Sequence, residues 1–465
     1  MISETVVELS RWQFAITAMF HFLFFPLTLG LSLMLALMES AYVLSGQALY
    51  KTACLFWGRI FAVNFVLGVA TRLTLAFEFG MNGSYFSHYA GDAFALPLAI
   101  EAISSFFLAS ILFGPFLFGW ERLGKRSHLL ITWLITLAVN ASAVWVLTAN
   151  GWMQNPIGAE FNFQSFRMEL IDFTQLLNNP PAVAKAIHTI AACHATTAAT
   201  VLAISAWLLL KNPQDQLAIK SYMPAAVLGL AATLAVWLVD PIPNIQHPIQ
   251  IRKYDTLAGI DNSPLLPGIE WRIRNGIKAY ALLEELRDDN KDPQLLANFK
   301  ILKTDLGYAL LLKRWTEHVV DANSKQIALA AKSALPSQPA SLYWTYRLMI
   351  ACGIFTLLLF LIVIGRGLVK KAQQPWLLKL CCYLLPLPWL AYIGGWYISE
   401  AGIQPWAIAE ILPTFLSTSS LSVWDLIFSL AGYTIAYAVL LAVGGYLIRQ
   451  SILAHLSARS LGVGQ

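Results

Sequence analysis

"AMFHFLFFPLTLG", residues 18–30, sets one imidazole, His21, among four phenylalanines and several aliphatic or methionine neighbours, without a single charge. Followed outward, the run stays apolar to about residue 40, and it is preceded by the acidic "MISETVVELS" rather than by a basic leader. A run of that length is expected to remain in place as a membrane-spanning helix and not to be removed as a signal peptide. The number of such runs then decides the fold.

The chain of 465 residues is 57% hydrophobic and only 12% charged, with a mean hydropathy of +0.61. That balance excludes an ordinary soluble protein and points to an integral membrane protein with many spans. The net charge of +5 implies no nucleic-acid partner, because in such a protein the position of basic residues matters more than their sum. Cys54, Cys193, Cys352, Cys381 and Cys382 lie in or beside apolar runs without paired metal-ligand spacing, and read as packing residues.

Runs long enough to cross a hydrocarbon core of about 30 Å occur near 14–40, 55–79, 94–119, 129–150, 183–211, 222–240, 342–365, 377–400 and 425–448. The expectation is an all-α integral membrane protein of nine transmembrane helices. It divides into a six-helix part (1–240), an extramembrane segment (241–341) holding "ELRDDNKDPQ" and the helix-like "GIKAYALLEEL", and a three-helix part (342–465). Lys51, Arg122, Lys125, Arg126, Lys211, Lys220, Arg366, Lys370, Lys371, Arg449 and Arg459 fall on one side, whereas loops 80–93 and 401–424 carry no Lys or Arg. This asymmetry predicts a cytoplasmic C-terminus, with the N-terminus and the large segment outside.

With that topology His21, Glu101, His188 and Met349 fall at a common level, about 10 Å below the outer surface. Ionisable groups inside a membrane are costly and mark function by default. Two histidines, a methionine and a glutamate at one depth form a metal-ligand set, and imidazole with thioether suits haem iron. Taken singly, each has a plainer reading: a histidine hydrogen-bonded between helices, a methionine filling core space.

These residues stand in stretches that together resemble subunit I of the cytochrome bd-type quinol oxidases. They are "SRWQFAITAMFHFLFFPLTLG", "VLTANGWMQNPIG", "AIHTIAACHA", "RIRNGIKAYALLEELR", "DLGYALLLKRW", "LYWTYRLMIACG", "LPLPW" and "QPWAIAEILPT", in order from residue 10 to beyond 410. The resemblance implies nine helices with a large quinol-type loop between helices six and seven. It implies oxidation of quinol and reduction of O2 to water in the bacterial cytoplasmic membrane, beside a second membrane subunit (subunit II) and a small single-span subunit. It further implies a low-spin haem b held by His188 and Met349, with Arg347 as a charge partner. A second haem b and a haem d would form the oxygen-reducing pair, one of them ligated by His21, with Trp389 as a further cofactor-binding position. Glu101 would lie near that pair, Ser142 and Asn150 on a proton route from the cytoplasm, and Asp261 at the quinol site.

Several positions depart from the family pattern. Ala109 stands where the family carries a second glutamate, eight residues after the first. Ile393 stands where a glutamate ligates the other haem of the oxygen site. Arg72 replaces a glycine, Ala76 a glutamate and Ile403 an arginine, while "TLAGID" puts Thr256 where the quinol loop has lysine and keeps an acid at Asp261. Arg72 would pair with a haem propionate, fill space that a haem should occupy, or snorkel to the outer headgroups. His194, six residues after His188, faces well away from it and reads as a structural hydrogen bond.

The leading reading is therefore a quinol:oxygen oxidoreductase subunit. The alternative is a diverged paralogue that retains only the low-spin haem b and acts in electron transfer or in gas or haem binding without reducing oxygen. A transporter is disfavoured, since no internal repeat is visible and the polar groups lie near one face.

Overall fold

The computed structural model describes residues 3–239, 248–287 and 292–460, with side chains described as far as 457. The expected boundary at 240/241, residues 241–247 and 288–291 of the extramembrane segment, and the Arg459 side chain lie outside the described residues. Among the described residues nine helices are long and apolar enough to cross a membrane. In order, the spans are Glu4–Ser45, Ala48–Met81, Ser84–Phe118, Lys125–Gln154, Pro180–Lys211, Gln216–Leu238, Pro339–Leu368, an eighth made of Pro375–Tyr383 and Pro386–Ala401, and Val423–Ser460. The described residues are otherwise helical or irregular except for two short antiparallel pairs, Ala159–Asn162 with Arg167–Leu170 and Trp406–Ile408 with Leu412–Pro413.

The fifth span is the hub of the bundle, packing on the first, fourth, sixth and eighth. Its alanine-rich sequence explains the position, because small side chains let helix backbones approach where lipid offers no hydrophobic drive between helices. A Cβ built on Gly30 of the first span would lie 2.3 Å from Thr197 Cβ of the fifth, and one on Gly151 of the fourth 2.4 Å from Ala182 Cα. The ninth span is peripheral, touches the first and second, and exposes Phe428, Ile435 and Val439.

The expected loop 80–93 is largely helical: the third span begins at Ser84 and bends at Gly91 (φ 55, ψ −143), where a Cβ would meet the Met168 carbonyl oxygen at 2.2 Å. Glycine alone accepts both that dihedral and that approach. A π turn over Ala102–Phe106 then follows Glu101. The expected loop 401–424 likewise carries structure, the second strand pair and a short turn of 3₁₀ helix.

Between the sixth and seventh spans lies a small helical body: Pro248–Ala258, Leu266–Arg287, Pro293–Leu302 and Ser324–Ser333. Ile249, Ile273, Leu311, Leu312, Val319 and Trp406 form part of its apolar core. Arg272 ties it to the 402–422 connection, reaching Asp305 at 2.6 Å and Glu410 at 2.8 Å, and Tyr308 donates to Glu410 at 2.8 Å. Arg314 pairs with Glu4, so the body and the start of the first span share one face of the bundle. On the opposite face a buried Glu39 carboxylate takes His128 at 2.7 Å and Thr132 at 2.6 Å, and His455 meets Asp215 at 2.9 Å.

Candidate functional site

Proline at position 26 and β-branched residues do not interrupt the first span, and its apolar sequence carries His21 to the wall of a cavity of ≈ 390 Å³. Phe22, Phe25, Phe106 and Trp396 supply aromatic walls; Arg72, Ser142 and Asn150 are polar. The Thr71 hydroxyl donates to the carbonyls of Leu67 and Gly68 at 3.0 and 3.1 Å, and lies 3.1 Å from His21 Nδ1. In the tautomer that carries its proton on Nδ1, His21 donates to that hydroxyl and keeps Nε2 as the basic nitrogen. A histidine fixed through one nitrogen is arranged to use the other as a ligand.

Glu101 is fully buried and receives both Arg72 Nη2 and the Ser142 hydroxyl. Arg72 therefore points to Glu101 and does not snorkel to the headgroups; its guanidinium carbon lies 4.4 Å from the Phe106 ring centre. Ala109 lines the same cavity. Ile393 packs against the membrane core. Ile403 is buried in the extramembrane body, where Arg252 Nη2 donates to its carbonyl at 3.4 Å, so a guanidinium reaches this region from another segment.

Met349 lies against the eighth span at two glycines: a Cβ on Gly395 would be 3.5 Å from its Sδ, and one on Gly394 3.8 Å from its Cβ. Lys185, in the fifth span, contacts Ser399, Glu400 (3.2 Å) and Asn150. The fifth and eighth spans run antiparallel, so His188, three residues or about 4.5 Å deeper than Lys185, comes level with Gly395 and Trp396. Phe22 stacks on Trp396 with ring centres 3.9 Å apart, which brings His21 to the same level. Trp396 thus stands between the cavity behind His21 and the glycine-faced surface at Met349. Trp389 lies deeper, its Nε1 donating to Thr200 at 3.3 Å. His194 Nδ1 is 2.7 Å from the Ile190 carbonyl of its own helix, the structural hydrogen bond expected of it.

The remaining expected positions are dispersed. Arg347 donates to the carbonyls of Leu257 (3.0 Å) and Tyr343 (3.2 Å), pinning the seventh span to the extramembrane body. Asn150 joins the Lys185–Glu400 cluster, Nδ2 to Oε1 3.3 Å, and does not touch Glu101. Asp261 is exposed; its carboxylate accepts the Ser263 backbone N–H and hydroxyl, which hold it below the usual carboxylate range. Thr256 is buried between Arg252 O and Asn262.

Three residues escaped the sequence reading. Lys253, one turn before Thr256, is buried, with Nζ 3.4 Å from Ser399 O; burial, and then the charge of Lys185, push its ammonium down to about 7. Lys185 itself carried a legible signal, a lysine inside a span. Trp396 carried none, since one tryptophan among sixteen has no distinguishing pattern. Among the described residues no three His, Cys, Asp or Glu side chains gather into a metal-ion cage.

The chain matches the family described as Cytochrome bd terminal oxidase subunit I over residues 9–242 and 276–455. Residues 243–275, which hold Lys253, Thr256 and Asp261, fall between the matched parts. It is 39% identical to the Cytochrome bd-II ubiquinol oxidase subunit 1 of Escherichia coli, over 96% of each chain. It is 32% identical to the Cytochrome bd ubiquinol oxidase subunit 1 of Bacillus subtilis, over 94% of this chain and 91% of that one. A solved structure of the bd oxidase from Geobacillus thermodenitrificans shares the fold, with a TM-score of 0.73 at 20% identity, covering 98% of this chain and 100% of the other.

Proposed function

Because the chain belongs to the cytochrome bd terminal oxidase subunit I family, we propose that it is the haem-bearing subunit of a bacterial inner-membrane complex that oxidises quinol and reduces O2 to water. The observation that carries this reading is His21, with Nδ1 3.1 Å from the Thr71 hydroxyl, on a cavity walled by aromatic rings. The donor set fits haem: His21 would hold one on the cavity side, and His188 with Met349 a low-spin haem b across the flat Gly394–Gly395 surface. Bound haem supplies one-electron redox chemistry and, where a coordination position stays open, a place for dioxygen.

The chain's own residues supply the rest. Thr71 orients the His21 ring. Trp396 and Phe22 give a continuous aromatic contact between the two haem positions. Ser142 stands at the cavity wall with its hydroxyl on the Glu101 carboxylate behind it, a start for a proton route that Asn150 extends toward Lys185 and Glu400. At the extramembrane body Asp261, ionised and exposed, accepts a proton from a quinol hydroxyl, and Arg347 keeps the body seated above Met349. A haem d and a second haem b complete the oxygen-reducing pair, and subunit II with a small single-span subunit completes the complex. The basic loops lie in the cytoplasm, with the N-terminus and the body outside.

A second reading, a paralogue retaining only the low-spin haem b, is favoured by Ala109 and Ile393, which put apolar side chains where the family pattern has carboxylates. Haem extraction and reduced-minus-oxidised spectra of the purified complex decide between them. Three haems, one lost selectively in H21A and another in M349A, with quinol-dependent oxygen uptake, are the expected result. A single low-spin haem b, lost in M349A and unaffected by H21A, would establish the paralogue instead.

A further inference from the structure

The cavity behind His21 contains one permanently charged side chain among the described residues that line it, Arg72. Its Nη2 is committed to Glu101, but Nη1 is buried and has no hydrogen-bond partner among the described residues. Glu101 does not itself line the cavity; it lies behind the guanidinium and also takes Ser142. The cavity therefore presents a cation and no anion, inside walls that are otherwise aromatic, aliphatic or neutral. Leaving a guanidinium N–H without an acceptor in such surroundings is costly, whereas a carboxylate placed against it would gain a charge-assisted hydrogen bond. Arg72 follows Thr71, the residue in contact with His21 Nδ1, so the arginine and histidine side chains line the same cavity from neighbouring positions. The side chain lies along the wall, and ≈ 390 Å³ remains beside it.

We infer that Arg72, backed by Glu101, is the carboxylate-binding element of this cavity, and that its guanidinium holds a propionate of the tetrapyrrole that His21 ligates. The inference rests on the reading of His21 as a haem ligand and adds the residue that anchors the macrocycle's acidic edge. Glu101 is then a positioning residue: it fixes the fork of the guanidinium and offsets part of its charge. Arginine suits the task because its planar fork serves two acceptors at once, which an ammonium on a flexible stem does less well.

The test uses the whole purified complex, comparing wild type with R72K, R72Q, E101Q, R72Q/E101Q and H21A. The readouts are the rate at which the His21-dependent haem passes to a scavenging apo-globin and that haem's midpoint potential. R72K keeps the charge but loses the fork, and should release the haem roughly ten- to a hundredfold faster. R72Q, where it assembles, should release it faster still and shift its potential downward, because removing a nearby positive charge favours the ferric form. E101Q should shift the potential upward, and the double variant should return toward wild type. The haem of His188 and Met349 should keep its retention throughout. Unchanged release in R72K, with an unchanged potential in E101Q, overturns the inference. If H21A retains every haem, the parent reading of the cavity fails instead, and that result is separate from any behaviour of the Arg72 variants.

Discussion

Thr71 shows how one hydroxyl decides what a histidine can do. It bonds to the helix backbone and, for the Nδ1–H tautomer of His21, offers an acceptor 3.1 Å away. T71V removes that acceptor and frees the ring to turn. Loss of such an orienting partner typically weakens a ligand site by about 10–100-fold, so T71V should shed the His21-dependent haem more readily while the helix stays intact. Equal haem release from T71V and wild type would show that the packing of Phe22 and Phe25 alone holds the ring. Lys253 illustrates the opposite situation, a charge moved from water into the protein. Burial, then Lys185, lower its pKa from the usual lysine value to about 7, partly opposed by Glu400. Between about 7 and 10.5 the unfolded chain binds a proton that the folded one does not, so stability rises with pH across that window. K253M should therefore raise the melting temperature most below pH 7, with the gain shrinking toward pH 9. A gain independent of pH would mean that Lys253 is not the titrating group.

At the scale of the element, the close approach of the first and fifth spans sets the geometry on which the site depends. Gly30 meets Thr197 with no room for a Cβ, and the Thr197 hydroxyl donates to the Pro26 carbonyl at 2.6 Å, a second tie between the two spans. G30V should force the pair apart, at a cost of roughly 1–3 kcal/mol or more. The shift would reach Phe22 and Trp396, so the expected outcome is a lowered thermal transition together with slower electron transfer between the two proposed haem positions. G114V, at a position with open space around it, is the control and should leave both unchanged. The third span could not be read correctly from its pattern. Its apolar run is plain from 94 onward, but the helix from Ser84 and the bend at Gly91 depend on the hairpin Ala159–Leu170 packing against them, and the π turn after Glu101 packs on the fourth span, contacts distant in sequence.

At the scale of the whole molecule, the contacts of Glu4 with Arg314, of Ser399 with Lys253 and of Glu410 with Arg272 put the N-terminus, the 402–422 connection and the extramembrane body on one face. The Lys- and Arg-rich turns lie on the other. A cysteine introduced for exposed Lys371 should react with a membrane-impermeant reagent only from the cytoplasmic side, and one for exposed Ser420 only from outside; the reverse pattern would invert the proposed orientation. The sequence by itself determined the nine spans and the body between the sixth and seventh, because hydrophobic length and polar interruption are local quantities set by bilayer thickness. It also marked His21, Glu101, His188 and Met349, since polar groups stand out in an apolar run. Only the tertiary structure decided that Arg72 turns inward to Glu101, that Asn150 joins Lys185 and Glu400, that Lys253 reaches the membrane part, and that Trp396 stands between the two sites. Those facts depend on which faces of separate helices meet, and that choice is made by small-residue contacts and hydrogen bonds between spans, which no single span encodes.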